Sequence, residues 1–283
     1  MVNKKTFAVE VVLYKPEIAD IEKVNGYLND FDRVIIFDNT EDNSEYVDFI
    51  NKDKRLVYIY NSENMGLSYA YNYVLKSIYL DKIDYLCTMD QDSVFQSEDI
   101  VKMKDFICRS QFENVGIYAP TIIFKGKKIL NHGEDEYGFV DWVISSGSFI
   151  NLSIMNNEKI RFDENYFIDR VDVDFCKQVK LRGYKIIKYH KSNLKQSLGS
   201  LSKSGVIQHS ALRCYYITRN RLYYNKKYYN KFYFYVVSLL QSINNICKIL
   251  FFEDDKSKKI KYIYFGIRDF WYKKYGKFVP KSD

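Results

Sequence analysis

The sequence predicts an α/β fold: a mixed, mostly parallel central sheet with helices on both faces, followed by a helical C-terminal extension. Three observations carry this prediction. Apolar, β-branched runs alternate with helix-like stretches through the first 120 residues, the pattern of strands joined by crossover helices. Polar or acidic residues stand at the ends of successive runs, at Asp38-Asn39, at Asn61 with Asn64, and at Asp90-Gln91-Asp92. Open sheets of this kind bind ligands beyond those strand ends. From about His209 onward the pattern turns helical and basic.

The elements follow in order. Strands are expected at residues 7–14, 33–37, 56–60, 85–89 and 115–119, each a short apolar or aromatic run. Helices are expected between them at 18–28, 44–51, 67–80 and 98–108. Ser97 is the expected N-cap of the last, with Glu98 and Asp99 in its first turn. The middle is less regular, with Trp142 and the small cluster Ser145-Ser146-Gly147-Ser148. A helix at 175–182 ends at Gly183, a strand follows at 184–190, and the Ser/Gly/Lys-rich stretch 191–205 reads as a mobile loop. Val236, Leu239, Leu240, Ile243, Ile246, Leu250 and Phe251 recur at helical spacing, interrupted by Gln241, Asn244, Asn245 and Lys248. That segment reads as an amphipathic helix lying on protein or at a bilayer surface.

The 283-residue chain is 47% hydrophobic and 28% charged, which excludes a disordered polypeptide. Its five cysteines are scattered, with no Cys-x-x-Cys or Cys/His cluster. This argues for reduced thiols in the cytoplasm and against a zinc site, with Cys87 and Cys176 in the core. No cleavage site follows the basic start, so no signal peptide is expected. The net charge of +7 is unevenly placed: from Arg219 onward there are 15 Lys/Arg against 5 Asp/Glu, so the basic character lies in the tail.

Asp90 and Asp92 follow the run Tyr85-Leu86-Cys87-Thr88-Met89. In extended chain, residues two apart point the same way. Two adjacent carboxylates repel unless a cation joins them, and a divalent ion shared with a diphosphate relieves that repulsion. The plainer alternative is a polar loop after a strand.

Several motifs occur together in order: Val11–Tyr14 with Pro16, then Ile35-Ile36-Phe37-Asp38-Asn39-Thr40, then Asn64-Met65-Gly66-Leu67-Ser68-Tyr69-Ala70-Tyr71-Asn72. Met89-Asp90-Gln91-Asp92-Ser93, Ser145–Ser148, Phe162-Asp163-Glu164, Phe167–Cys176 and Arg213–Asn220 follow. With these residues the chain resembles the family-2 inverting nucleotide-sugar glycosyltransferases of the GT-A (Rossmann-like) fold, rhamnosyltransferase-like members especially. The resemblance covers about residues 6–225.

The resemblance implies a catalytic domain at 1–207, its nucleotide-sugar half at 1–120 and its acceptor half at 121–207, with 208–283 as a basic, Tyr-rich extension. It implies nucleotide-sugar contacts at Tyr14, Asp38, Asn64, Gly66, Asp90 and Gln91, Asp38 reading the pyrimidine base. Asn72 is expected to support a neighbouring loop. Asp92 and Asp90 would hold Mn²⁺ or Mg²⁺ on the donor's diphosphate. Asp172 would be the catalytic base, with Val171 in place of the Glu of the family's Glu-Asp pair. Trp142, Ser146 and Gly147 would face the acceptor. The family's further metal ligand, a His, corresponds to Gln196 in Gln196-Ser197-Leu198-Gly199, with His190 and His209 near in sequence. Arg213, Arg219 and Asn220 would reach a diphosphate or the acceptor, or form a solvated basic face.

The expected function is inverting transfer of a sugar, rhamnose being the family's suggestion, in bacterial surface polysaccharide biosynthesis. The donor would be a dTDP- or UDP-sugar and the acceptor a saccharide or lipid-diphosphate-linked glycan. The tail would dock on the inner face of the cell membrane, and a homodimer is admitted. No nucleic acid is expected. The alternatives are a nucleic-acid-binding protein using the basic aromatic tail, or a nucleotidyltransferase.

Overall fold

The computed structural model describes residues 5–42, 45–124, 127–128, 135–196, 200–201 and 207–280. They group into two units, one of residues 1–163 with 172–197, the other of 164–171 with 198–283.

In the first unit the strands are β1 (Phe7–Leu13), β2 (Arg33–Asp38), β3 (Leu56–Tyr60), β4 (Tyr85–Asp90), β5 (Ser93–Phe95), β6 (Val115–Phe124), β7 (Lys127–Lys128), β8 (Tyr137–Phe139), β9 (Ser148–Asn151) and β10 (Lys185–Gln196). The helices are α1 (Ile18–Gly26), α2 (Leu67–Leu75), α3 (Ser97–Arg109), α4 (Leu152–Asn157) and α5 (Val171–Leu181). All ten strands join one mixed sheet in the order β3-β2-β1-β4-β9-β6-β10-β5, with β7 beside β6 and β8 beside β10. The run β3-β2-β1-β4 is parallel throughout, so its strands end on one edge. β9 enters antiparallel between β4 and β6, bringing the Ser145–Ser148 cluster to the end of β4.

Alternation assigns the faces. Val9, Val11, Val34, Ile36, Cys87 and Met89 pack with Ile21 and Val24 of α1 and with Ile100, Met103 and Phe106 of α3. On the other side the Phe37 ring meets Tyr69 and Tyr73 of α2. Cys87 and Cys176 are buried, as the sequence suggested.

The structure corrects several expected boundaries. The expected helix at 44–51 is a 3-10 helix at Glu45–Phe49, and α2 stops at Leu75 before a 3-10 turn at Ile78–Leu80. Gln96, not Ser97, occupies the cap of α3, because the Ser97 hydroxyl donates to Asp30 Oδ1 instead. The strand expected at 184–190 continues to Gln196, so residues 191–196 are not the expected loop. A register shift between Tyr189 and Asn193 hides the continuation in the sequence. Short polar side chains fill it: Ser192 Oγ donates to Asp99 O (2.9 Å), and Asp99 Oδ1 accepts from Asn193 N–H (3.0 Å). Of the remainder of that expected loop, 197–199 and 202–205 lie outside the described residues.

The second unit holds α6 (Ala211–Tyr228), α7 (Lys231–Phe252) and α8 (Lys256–Trp271), with a two-stranded pair of β11 (Ser200–Leu201) and β12 (Ile207–Gln208). Ser210 and Asn230 cap α6 and α7 by accepting from Arg213 N–H and Tyr233 N–H. Gly266 lets α8 approach α6 closely, since a Cβ there would lie 2.8 Å from Tyr215 O. The short 164–171 segment belongs to this unit because α6 holds its backbone. Asn220 Nδ2 donates to Ile168 O (2.7 Å) and Asp169 O (3.0 Å). Arg219 is wholly buried and donates to Tyr215 Oη (3.2 Å) and Gly276 O (2.8 Å). Arg219 and Asn220 are therefore internal braces, not the solvated face the sequence suggested; Arg213 pairs with Asp169 at 3.2 Å.

Candidate active site

The end of β2 supplies Asp38, buried with no exposed surface. Its Oδ1 accepts from Thr40 N–H (2.9 Å) and its Oδ2 from the Tyr58 hydroxyl (2.6 Å) and the Tyr46 hydroxyl. A base contact expected of Asp38 needs a surface that this carboxylate does not present. It organises the strand end instead, and burial with the neighbouring charge of Asp38 raises the Tyr58 hydroxyl far above the usual tyrosine range.

Asn39, next along, is an anchor whose role the sequence did not disclose. Its Oδ1 accepts from Met65 N–H (3.2 Å) and its Nδ2 donates to Gly66 O (3.3 Å). Asn64 Oδ1 accepts from Gly66 N–H (3.0 Å), and Gly66 takes φ +85° at the cap of α2. Only glycine adopts this backbone geometry without strain. Tyr14 and Gln91 meet at the neighbouring strand ends, where Gln91 Oε1 accepts from Tyr14 N–H at 2.7 Å. The Tyr14 ring is left exposed.

Asp90 ends β4 half-buried, and Asp92 is exposed beyond it. Asp90 Oδ2 accepts from Gln196 Nε2 at 3.3 Å, and Oδ1 lies 3.4 Å from the Tyr71 hydroxyl. Gln196 faces Ser93 in the β10–β5 ladder. Asp90, Asp92 and Gln196 are thus gathered around one turn. His190, by contrast, is held by Asp135 O at 2.9 Å; His209 belongs to the second unit. No group of three or more His, Cys, Asp or Glu able to hold a metal occurs among the described residues. The donor set still fits a hard cation that takes one or two carboxylates and completes its shell with substrate phosphates and water.

The serine cluster is knitted to β4. Ser146, wholly buried, accepts from Asp90 N–H (3.1 Å) and donates to Ser93 Oγ (2.8 Å). Gly147 N–H donates to Thr88 O at 2.7 Å, and Thr88 Oγ1 donates to Ser145 O at 2.6 Å. Gly147 takes φ +78°, and a Cβ there would meet Pro120 and Leu194 at 3.0 and 3.1 Å. Ser145 Oγ lies 3.4 Å from the same Tyr71 hydroxyl that meets Asp90. Tyr71 is buried, and desolvation followed by the charge of Asp90 pushes its pKa well up, so it stays a neutral donor.

Asp172 lies in the first turn of α5, where the helix dipole favours an anion. With Ser145, Thr88, Phe162 and Cys176 it lines a small void of about 10 Å³. The same residues bury the Cys176 thiol, pushing it up to about 12. Asn72 and Phe162 set the position of α5. Asn72 Nδ2 donates to Phe162 O (2.8 Å) while its Oδ1 accepts from Phe162 N–H (2.9 Å). The Phe162 ring stacks on Phe175 at 3.9 Å, one turn beyond Asp172. Asn72 is thus a support, as the sequence indicated. Asp169 and Arg170, just before α5, both have positive φ (62° and 68°), a costly conformation for non-glycine residues.

Trp142 is 53% exposed at the rim of a cavity of about 430 Å³ that Ser146 also lines. Two residues the sequence reading passed over are buried nearby in the sheet. Lys188 on β10 lines that cavity. Glu10, at the centre of β1 opposite Thr88, has no exposed surface and no hydrogen-bond partner at either oxygen among the described residues. Burial alone pushes its carboxyl well above the usual range.

Parallel strand ends carrying an acid pair, with a third acid on a helix behind a serine loop, are the arrangement expected of a GT-A-type glycosyltransferase. The sequence model of Glycosyl transferase family 2 matches residues 21–173, more than half of the chain, and the protein belongs to that family. No curated protein sequence matches. Among solved structures, GalNAc-T7 with UDP, GalNAc and Mn²⁺ superposes with a TM-score of 0.54 at 12% identity, over 69% of this chain and 44% of that one. Residues 1–349 of S. aureus TarS give 0.50 at 12% identity, over 94% of this chain and 72% of that one. The chain spans less than half the length of the GalNAc-T7 chain. At such identities the likeness is one of fold.

Proposed function

We propose that the protein transfers a sugar from a nucleoside-diphosphate donor to an acceptor hydroxyl with inversion of configuration. The observation that carries this reading is the link Asp90–Tyr71–Ser145, which joins the acid pair at the strand ends to the void lined by Asp172. Asn64, Gly66, Tyr14 and Gln91 form the donor's edge, the exposed Tyr14 ring offering a face to the base. Asp92 and Asp90 would hold Mn²⁺ or Mg²⁺, with Gln196 beside them, and the ion would neutralise charge on the departing diphosphate. Asp172 takes the proton from the acceptor hydroxyl as its oxygen attacks the anomeric carbon. Trp142 supplies an aromatic face for the acceptor ring, and Ser146 and Gly147 fix the wall between donor and acceptor.

The acceptor is read as a saccharide or lipid-diphosphate-linked glycan of a bacterial surface polysaccharide, used at the inner face of the cell membrane. Supporting this, α7 is long and apolar enough to cross a membrane by length and composition, and it exposes Phe232, Leu239, Leu240 and Phe251. Surface docking is the reading preferred for it, because polar Gln241, Asn244, Asn245 and Lys248 interrupt its sequence.

A thermal-shift panel of UDP- and dTDP-sugars, rhamnose included, with and without Mn²⁺ tests the donor. Metal-dependent stabilisation by one nucleotide sugar is expected. In a transfer assay Asp172→Asn is expected to lose at least about a hundredfold in rate with nucleotide binding intact. Full transfer by that variant would refute the assignment of the base.

A further inference from the structure

Lys188 enters the cavity beside Trp142 from a place in the sheet between two small neighbours. In the sheet Lys188 pairs with Ala119 of β6 and Gly138 of β8, so neither ladder partner covers its stem. The side chain is 7% exposed and lines the cavity. No hydrogen bond or ion pair engages its ammonium among the described residues. The other charges on the lining are already matched: Lys180 is bonded to Asp141, the one acid among the described lining residues. Phe139 and Trp142, both more than half exposed, form the aromatic rim. Val143 and Ile144 line this cavity and also the void of Asp172, so the two adjoin.

A lysine so largely withdrawn from water without a counter-charge is costly, and burial draws the Lys188 pKa below the ordinary lysine value. An anion entering the cavity removes that cost. Lys offers a point charge with three donors, suited to a carboxylate or a phosphate alike. Aromatic faces at the rim suit the apolar side of a sugar ring.

We infer that the acceptor is acidic: a saccharide bearing a carboxylate or a phosphate monoester, seated between Trp142 and Phe139 with its anion on Lys188. This rests on reading the cavity as the acceptor's place. It adds that a neutral sugar is a poor occupant.

The chain has two tryptophans, so a Trp271→Phe background leaves Trp142 as the fluorescence reporter. Glucuronate, glucose 6-phosphate and glucose are titrated at constant ionic strength. Glucuronate, glucose 6-phosphate or both should bind at least about tenfold more tightly than glucose, as expected for a hydrogen bond to a charged group. Tight binding of glucuronate alone identifies a carboxylate acceptor, and of glucose 6-phosphate alone a phosphate. Lys188→Met should abolish the preference, Lys188→Arg should keep it, and Lys102→Met, a control for net charge, should leave it unchanged. Equal binding of all three sugars, or a preference that survives Lys188→Met, overturns the proposal. UDP stabilisation with Mn²⁺, measured on the same variants, separates the two readings and reports folding of Lys188→Met. If UDP fails to bind while the Lys188-dependent preference persists, glycosyl transfer falls and the anion site stands.

Discussion

Gln196 and Asp90 meet across 3.3 Å although 106 positions separate them in the chain. The amide of β10 therefore occupies the flank of the acid pair, where the sequence resemblance led us to expect an imidazole. An amide can turn its carbonyl oxygen toward a cation, but it is neutral and a weaker ligand than imidazole.

On the proposed reading, an imidazole at position 196 should strengthen cation binding at the acid pair. Gln196→His is expected to lower the Mn²⁺ concentration needed for UDP stabilisation by about tenfold, a typical effect of one well-placed group around a metal. Mn²⁺ titration by thermal shift, with and without UDP, reads it out. An unchanged midpoint would place the cation away from Gln196.

Asn72 holds both main-chain polar groups of Phe162 in a buried setting. Asn72→Ala leaves that N–H and C=O unsatisfied, and a loss of about 2–3 kcal/mol in urea unfolding is expected. Because Phe162 stacks on the helix that carries Asp172, transfer rate should fall while donor affinity stays.

Glu10 gives a pH-dependent prediction whose sign follows from its raised pKa. Below the ordinary value of 4.5 the carboxyl is protonated in both folded and unfolded chains. As pH rises the unfolded chain loses the proton first, so this group's contribution to stability declines through the folded-state pKa. Glu10→Met removes the dependence. At pH 8 the variant should exceed the parent by about 1–3 kcal/mol, the gap narrowing toward pH 4.5. Paired urea melts at both pH values check it. A gap of constant size would mean that Glu10 does not titrate as described.

The exposed apolar side of α7 should bind membrane. Flotation with vesicles containing anionic lipid is expected to carry the protein upward, and Leu240→Asp with Phe251→Asp should leave it at the bottom of the gradient. Release of the bound protein by alkaline carbonate would mark surface docking, and retention a span.

The parallel half of the sheet was legible because its strands are largely apolar runs, two of them ending in an acid, at Phe37-Asp38 and Met89-Asp90. β10 was cut short in the sequence reading because its register shift breaks the two-residue period. The acid pair and Asp172 were visible as spaced carboxylates. Their connection was not: Tyr71 and Ser145 look like an aromatic helix residue and a loop serine until the fold brings them to Asp90. Lys188 was hidden for the same reason, since its ladder partners Ala119 and Gly138 lie far from it in the chain. The buried state of Asp38 likewise depends on the phenols of Tyr46 and Tyr58.

The clasp between Asn72 and Phe162 uses only main-chain atoms of its second partner. The hydrogen bonding itself is therefore compatible with any side chain at position 162 other than proline, while at position 72 it needs an amide of that length. The demand on position 162 therefore comes from its buried ring against Phe175, and the demand on position 72 from the amide itself.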